Sequence, residues 1–155
     1  MSSRLTEFLA TFFYIGYIPF APGTFASLAG LFLAGTFANH PAMFLTILIL
    51  ITILGFISCN KIERIKGVKD PGCAVIDEVS GIMIALFLLP VDAKIYLITF
   101  FLFRAFDMFK IYPINRLESL QGGAGIMMDD IVSGLYANVT MQIALRICGE
   151  SLRGG

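Results

Sequence analysis

The feature that most constrains this chain is a long interval without charge near its start. No Asp, Glu, Lys or Arg occurs between Glu7 and Lys61. Proline-containing turns divide this interval into two apolar stretches, Thr24–Ala38 and Ala42–Ser58. A helix needs roughly 17–25 residues to cross a bilayer, and the second stretch is close to that length. The sequence therefore predicts at least one transmembrane helix.

The composition extends this prediction to the whole chain. Apolar residues make up 57% of the 155 residues, charged residues 14%, and the mean hydropathy is +0.85. Soluble domains have about 45–50% apolar and about 25% charged residues, so the surplus here exceeds one small core. We expect a single integral-membrane domain over residues 1–155. The net charge is zero and no cluster of Lys and Arg occurs, which excludes nucleic acid as a partner.

Three further apolar stretches with charge near one end predict the remaining helices. They are Ala74–Leu89, Ala93–Phe109 and Asp130–Cys148. Two polar segments, Asn60–Gly72 and Ile111–Met128, are predicted as loops. The expected fold is all-α, a polytopic membrane bundle of about four to five membrane-embedded helices. Whether the last helix spans fully is left open by the sequence.

Basic residues suggest the orientation of this bundle. If Arg4 is cytoplasmic, alternating crossings place the Lys61–Lys69 segment, Lys110 and Arg116 on the same side, in agreement with the positive-inside rule. The acidic residues collect at or near the same face. They are Asp70, Asp77, Glu78, Asp107, Asp129 and Asp130.

Two acidic pairs stand out among these residues. Asp77-Glu78 lies in an otherwise apolar stretch, where charged groups are expensive and usually functional, although a helix cap would also use such residues. Asp129-Asp130 follows a Gly122-Gly123-Ala124-Gly125 segment. This pattern indicates a metal platform beside an anion-binding loop, and its simpler alternative is a flexible turn.

Arg104 and Asp107 are three residues apart, so they share one helix face. They form either an internal ion pair or, together with Lys110, a clamp for phosphate. Several carboxylates with one histidine in the chain favour a hard cation, and Mg²⁺ leaves coordination positions open for phosphate oxygens. A non-enzymatic divalent-cation carrier or channel would use the same carboxylates, and a structural membrane protein would use them only in ion pairs.

With these residues identified, the chain resembles the phosphatidylglycerophosphatase A family in three segments. They are Gly16–Leu28 with its Pro-Phe-Ala-Pro-Gly-Thr run, Asp70–Gly81 with its Asp-Glu-Val-Ser-Gly core, and Phe103–Gly134. Ala26 and Ile111 depart from the family pattern, which has glycine and proline there. The resemblance implies a bacterial cytoplasmic (inner) membrane enzyme of phospholipid biosynthesis whose site faces the cytoplasm.

The implied reaction is the Mg²⁺-dependent removal of the terminal phosphate of phosphatidylglycerophosphate, which yields phosphatidylglycerol. On this basis we expect Glu78, Asp129 and Asp130 to bind the metal ion. Asp77 or Asp107 would orient a water or act as general base, and a covalent carboxylate intermediate remains an alternative. The residues expected to contact the substrate phosphate are Thr24, Arg104, Lys110, Gly122 and Gly123.

Overall fold

The computed structural model describes residues 2–112, 114–117 and 120–147, and this part of the chain is all-α. Seven helices occur in the described ranges, and no strand does. Their bounds are α1 Ser3–Ala10, α2 Pro22–Phe37, α3 Pro41–Lys66, α4 Ile76–Leu86, α5 Ala93–Phe109, α6 Ile114–Leu117 and α7 Gly123–Ile147. The predicted all-α class is confirmed.

Helix α3 is longer than the sequence indicated. It begins at Pro41, a residue suited to the first helical position, and ends where Gly67 adopts a left-handed conformation with φ of 65°. The predicted loop Asn60–Gly72 is therefore helical through Lys66. Arg64 and Lys66 lie in the last turn, where positive charge interacts favourably with the helix dipole.

Among the described helices, α3 alone is long and apolar enough to cross a membrane. The mean hydropathy of its most apolar 18-residue window is 2.6, and 28% of that window is buried within the protein. Helix α2 is apolar but shorter, with 16 residues. Helices α4, α5 and α7 carry acidic residues that reduce their hydropathy. The length and composition of the helices thus identify one candidate span, fewer than the four to five predicted.

Helix α4 lies at the centre of the bundle. It packs most extensively against α7 and α2, and it also contacts α3 and α5. Its crossing with α7 is close because Gly81 faces Gly134, and a side chain on Gly134 would overlap the Gly81 carbonyl oxygen. Asn138 of α7 donates hydrogen bonds of 2.9 Å to the carbonyl oxygens of Ala85 and Phe87. These bonds satisfy backbone acceptors at the carboxyl end of α4.

Helix α7 begins at Gly123, seven residues before the predicted start at Asp130. Glycine disfavours a helix by about 1 kcal/mol, which is why the sequence suggested a loop. The helix forms nonetheless because Gly123 packs against the backbone of α3, where a Cβ would lie 2.8 Å from the Asn60 nitrogen. Tertiary packing overrides local propensity here. The described helix ends at Ile147, and the predicted end at Cys148 lies outside the described residues.

Helix α5 has the bounds that the sequence predicted, Ala93–Phe109. Asp92 caps it by accepting hydrogen bonds from the backbone N–H groups of Lys94 and Ile95, at 2.8 and 3.0 Å. This N-cap lies at the opposite end of α5 from Asp107. The helix therefore carries a structural carboxylate at one end and a candidate functional one at the other.

Candidate active site

One polar cavity of about 410 Å³ lies where the first turns of α2 and α4 meet the last turn of α5 and the second turn of α7. Four separate chain segments therefore contribute to it. Its lining consists of Ala21, Pro22, Gly23, Thr24, Asp70, Gly72, Ala74, Asp77, Glu78, Arg104, Asp107, Met108, Lys110, Asp129 and Asp130.

Most residues that the sequence singled out for function line this cavity. They are Thr24, Asp77, Glu78, Arg104, Asp107, Lys110, Asp129 and Asp130. Gly122 and Gly123, predicted to contact phosphate, lie elsewhere. Both pack against α3, where a side chain on Gly122 would meet the Asn60 amide oxygen at 2.5 Å. Glycine is needed at these positions because two helices approach closely, and the expected anion-binding loop is a helix start.

Helix α4 brings Asp77 and Glu78 into the cavity from its first turn. The start of α4 is held in place by the Val75 N–H, which donates a 2.9 Å hydrogen bond to the Ala10 carbonyl. Opposite Glu78, α2 places Gly23, and a Cβ there would overlap Glu78 Oε1. Glycine at position 23 therefore leaves the space that the Glu78 carboxylate occupies.

The carboxyl end of α5 supplies the basic groups. Arg104 Nη1 lies 2.8 Å from Asp107 Oδ2, so the two residues form the ion pair that was one of the two alternatives given by their spacing. One turn later Lys110 ends the helix in a left-handed conformation, with φ of 43°. Its Nζ lies 3.3 Å from Asp129 Oδ2, so it joins α5 to α7 across the cavity.

Asp129 and Asp130 lie in the second turn of α7, although they were expected to open that helix. Both are buried, and 2% of the Asp130 surface is exposed. The seven-residue extension of α7 carries these carboxylates away from the helix terminus and into the protein interior. They are therefore not capping residues.

The carboxylates form two groups that could each hold a metal ion. One group is Asp77, Glu78 and Asp130, and the other is Asp107, Asp129 and Asp130. In each group one oxygen per residue lies within 4.8 Å of the others. Asp77 Oδ1, Glu78 Oε2 and Asp130 Oδ2 are buried without a hydrogen-bond partner among the described residues. Buried unpaired carboxylate oxygens are costly, so this donor set fits a hard divalent cation.

Three residues of the cavity wall have unusual backbone conformations. Ala21, Asp70 and Lys110 have positive φ values of 48°, 48° and 43°. A left-handed conformation costs a non-glycine residue roughly 1–2 kcal/mol. Such strain concentrates at functional sites, where the surrounding structure holds it for positioning.

Asp70, Gly72 and Met108 also line the cavity, but the sequence did not indicate a role for them. The sequence groups Asp70 with the other acidic residues but does not include it among the site residues. Its signal was an acidic residue in an Asp-Pro-Gly turn, seven positions before Asp77. Met108 lies between Asp107 and Lys110 in the sequence, and its side chain is exposed. The side chains of Phe109 and of Phe20, which precedes Ala21, are exposed as well. Exposed apolar side chains thus lie next to residues that line the charged cavity.

A second, apolar groove lies between α1, α2 and α3, with a volume of about 520 Å³. Helices α2 and α4 contribute side chains to the lining of both the polar cavity and the apolar groove. Thr24 and Asp77 face the polar cavity, whereas Leu33 and Ile76 line the groove.

The fold and cavity together define an all-α protein in which acidic and basic side chains face one another, suited to binding a cation and a phosphate. The family model for phosphatidylglycerophosphatase A matches residues 8–145, and the chain belongs to this family. The resemblance noted from the sequence is confirmed, and the protein is a phosphoric monoester hydrolase.

Three curated relatives cover most of the chain. A Bacteroides thetaiotaomicron protein named provisionally as a phosphatidylinositol-3-phosphatase is 33% identical, over 95% of this chain and 98% of its own. Phosphatidylglycerophosphatase A of Haemophilus influenzae is 38% identical, over 86% and 84%. Phosphatidylglycerophosphatase A of Escherichia coli K12 is 35% identical, over 83% and 77%. No solved structure matches the chain significantly.

Proposed function

We propose that this protein hydrolyses the terminal phosphomonoester of phosphatidylglycerophosphate, with Mg²⁺ bound by the acidic residues of the cavity. The observation that carries the proposal is the convergence of carboxylates, Arg104 and Lys110 in one cavity of a protein from this family. The names of the Haemophilus influenzae and Escherichia coli relatives support this substrate.

Arg104, Lys110 and Thr24 are proposed to bind the phosphate. A guanidinium group contacts two phosphate oxygens at once, and an ammonium group adds a point charge. The Arg104 and Lys110 side chains form ion pairs with Asp107 and Asp129, so their positions are fixed before the substrate binds. The Thr24 hydroxyl reaches the same cavity from the first turn of α2.

The acidic residues are proposed to serve two purposes. Glu78, Asp129 and Asp130 bind Mg²⁺, which when bound offsets the negative charge that develops on the phosphoryl oxygens. Asp77 or Asp107 orients a water and accepts its proton as the new P–O bond forms. The bond from phosphorus to the glycerol oxygen then breaks, that oxygen takes up the proton that the carboxyl group accepted from the water, and inorganic phosphate is released.

The surface of the protein supports a membrane location. In α3, Ile49, Leu50, Ile53 and Ile57 are all about half exposed, which is unfavourable in water and favourable in lipid. The proposed polytopic bundle would place further helices beside α3 in the bilayer. The exposed Phe20, Met108 and Phe109 around the cavity suit a substrate with a charged headgroup and hydrocarbon chains.

The position of the cavity supports a cytoplasmic site. The start of α7 packs at Phe56 and Asn60, near the carboxyl end of α3 that carries Arg64 and Lys66. The other end of α3, at His40 and Pro41, has no neighbouring Lys or Arg in the sequence. Basic residues favour the cytoplasmic side, so we place the cavity in contact with the cytoplasmic leaflet of the inner membrane.

The decisive experiment measures phosphate release by the purified full-length protein in mixed micelles. Phosphatidylglycerophosphate, phosphatidylinositol 3-phosphate and phosphatidic acid are compared, each with Mg²⁺ and with a chelator. We expect the highest kcat/KM for phosphatidylglycerophosphate and restoration of activity when Mg²⁺ is returned. The name of the Bacteroides thetaiotaomicron relative makes phosphatidylinositol 3-phosphate the principal competing substrate.

Asp107→Asn and Asp92→Asn provide a matched pair of variants on α5. Both remove one carboxylate, but Asp92 lies outside the cavity and asparagine caps a helix as well as aspartate does. We expect loss of phosphate release in Asp107→Asn and retention in Asp92→Asn. Higher activity on another lipid, or activity that survives complete metal removal, would contradict the proposal.

A further inference from the structure

The two acidic groups of the cavity share one residue. Asp130 belongs both to the Asp77–Glu78 group and to the Asp107–Asp129 group. Within each group the donor oxygens lie within 4.8 Å of one another, a spacing that allows them to surround one ion. A carboxylate has two oxygens, so Asp130 is able to contribute one to each group.

Burial provides an independent indication of a ligand at this point. Asp130 is 2% exposed and Asp77 is 8% exposed, so both side chains are more than nine-tenths buried. Asp130 Oδ2 and Asp77 Oδ1 have no hydrogen-bond partner among the described residues. Both atoms belong to residues whose oxygens converge on the Asp77–Glu78–Asp130 group. The cost of their lost hydration is offset by a bound cation or by protonation, and several such oxygens together favour the cation.

The charge environment differs between the two groups. Arg104 pairs with Asp107 and Lys110 pairs with Asp129, so both of these ion pairs are directed to the second group. Each residue of the first group, Asp77, Glu78 and Asp130, has one buried oxygen without a partner among the described residues. A cation entering the second group competes with ion pairs, whereas the first group presents unsatisfied oxygens.

We propose that the cavity binds two divalent cations side by side, bridged by the carboxylate of Asp130. The Asp77–Glu78–Asp130 position binds its ion tightly, and the Asp107–Asp129–Asp130 position binds weakly because Arg104 and Lys110 compete. Paired ions in phosphatases lie about 3.5–4 Å apart and clamp both the attacking and the leaving oxygen. Asp77 and Asp107 each have two oxygens, so either residue is able to bind an ion with one oxygen and orient the water with the other. The inference rests on the proposed function for its catalytic meaning, but the binding of two ions is measured without substrate.

The probe is Mn²⁺, added to the purified full-length protein in micelles without lipid substrate. Equilibrium binding should give two Mn²⁺ per chain, with dissociation constants at least about tenfold apart, equivalent to 1.4 kcal/mol. Low-temperature electron paramagnetic resonance should show a spin-coupled Mn²⁺ pair once both positions are filled. One ion per chain at saturation, or two ions without coupling, would overturn the proposal.

Variants of similar size show which residues bind the ion at each of the two positions. Asp130→Asn should abolish the coupled signal, and Asp107→Asn should leave one tightly bound, isolated ion. Asp77→Asn should weaken the tight position by at least about tenfold. Lys110→Met should strengthen the weak position several-fold because a competing cation is removed, an effect that a purely structural role of Lys110 would not produce. Unchanged weak binding in Lys110→Met, or a coupled signal in Asp130→Asn, would refute the assignment.

Asp92→Asn serves as the control and should retain both ions and the coupled signal. Circular dichroism and thermal unfolding of each variant establish that its fold is intact. Phosphate release measured on the same preparations separates this inference from the proposed function. Two coupled ions without hydrolysis of any lipid phosphate would refute the proposed function alone, and one ion with full hydrolysis would refute the inference alone.

Discussion

The polar cavity and the apolar groove are of similar size, about 410 and 520 Å³, and share two helices. Helix α2 presents Thr24 to the cavity and Leu33 to the groove. Helix α4 presents Ile76 to the groove and Asp77 to the cavity, although these residues are consecutive. Successive helical residues point about 100° apart, since a turn takes 3.6 residues, and one residue step is enough to separate the two environments.

The difference between the two spaces lies in how each affects stability. The cavity contains buried oxygens without partners, which cost free energy in the folded protein. Left-handed backbone occurs in both spaces, at Ala21, Asp70 and Lys110 in the cavity and at Phe12 and Phe13 in the groove. The groove is lined by apolar side chains, and the packing of the buried ones, such as Phe12 and Ile76, stabilises the fold. We therefore expect substitutions in the cavity to affect catalysis more than stability, and substitutions in the groove to do the reverse.

The largest expected effect is a difference in phosphate release between variants of two neighbouring residues on α4, Asp77 and Ile76. Asp77→Asn should reduce phosphate release by at least about 100-fold, since the loss of several kcal/mol of transition-state stabilisation corresponds to two or more powers of ten. Ile76→Val should lower the free energy of unfolding by about 0.5–1.5 kcal/mol and leave kcat/KM of the folded protein within about twofold. Denaturation in micelles and steady-state phosphate release measure both. Comparable losses of activity in the two variants would contradict the expectation that the cavity serves catalysis and the groove serves stability.

Helix α2 should show the same contrast between a cavity residue that affects kcat/KM and a groove residue that affects stability, with a smaller loss of activity. Thr24→Ala should lower kcat/KM about tenfold because a hydroxyl is removed from the proposed phosphate site. Leu33→Ala should destabilise the protein by about 1–2 kcal/mol, since a half-buried side chain is truncated. Its activity per folded molecule should be unchanged. A fall in the kcat/KM of Leu33→Ala comparable to that of Thr24→Ala would show that the groove takes part in the reaction.

The exposed apolar residues around the cavity should matter only for substrates in a membrane. Replacing Phe20 and Phe109 together by serine should raise KM several-fold for phosphatidylglycerophosphate in vesicles, because apolar contact with the lipid surface is lost. KM for a short-chain, water-soluble analogue should change less than twofold. An equal rise in KM for both substrates would indicate that these residues shape the cavity itself.

The smallest expected effect tests strain in the cavity wall. Ala21 has φ of 48° and precedes Pro22, a position where left-handed backbone is unfavourable for alanine. Ala21→Gly should therefore raise the free energy of unfolding by about 0.5–1 kcal/mol. Thermal unfolding of the metal-free protein measures this change. A destabilised variant would show that the loss of the Ala21 methyl group outweighs the relief of strain.

Local patterns were sufficient to predict some elements well. The bounds of α5 followed from an apolar stretch with charge near its end, and the structure adds that Asp92 caps the helix. The Arg104–Asp107 ion pair followed from the spacing of a helix. The start of α7 could not be predicted in this way. Its glycines are poor helix formers, and the contacts with Phe56 and Asn60 that compensate come from α3, far away in the sequence.

The sequence by itself determined that the chain is all-α and that half of the functional candidates are carboxylates, accompanied by Arg104 and Lys110. These properties depend on composition and short-range periodicity, which are present in any conformation of the chain. The tertiary structure decided which carboxylates meet. Because α4 packs against both α2 and α7, Glu78 faces Gly23, and Asp130 meets Asp77 and Glu78, which are more than 50 positions earlier in the chain. Asp130 also meets Asp107, which is more than 20 positions earlier. The convergence of such distant residues depends on helix packing, which no local pattern encodes.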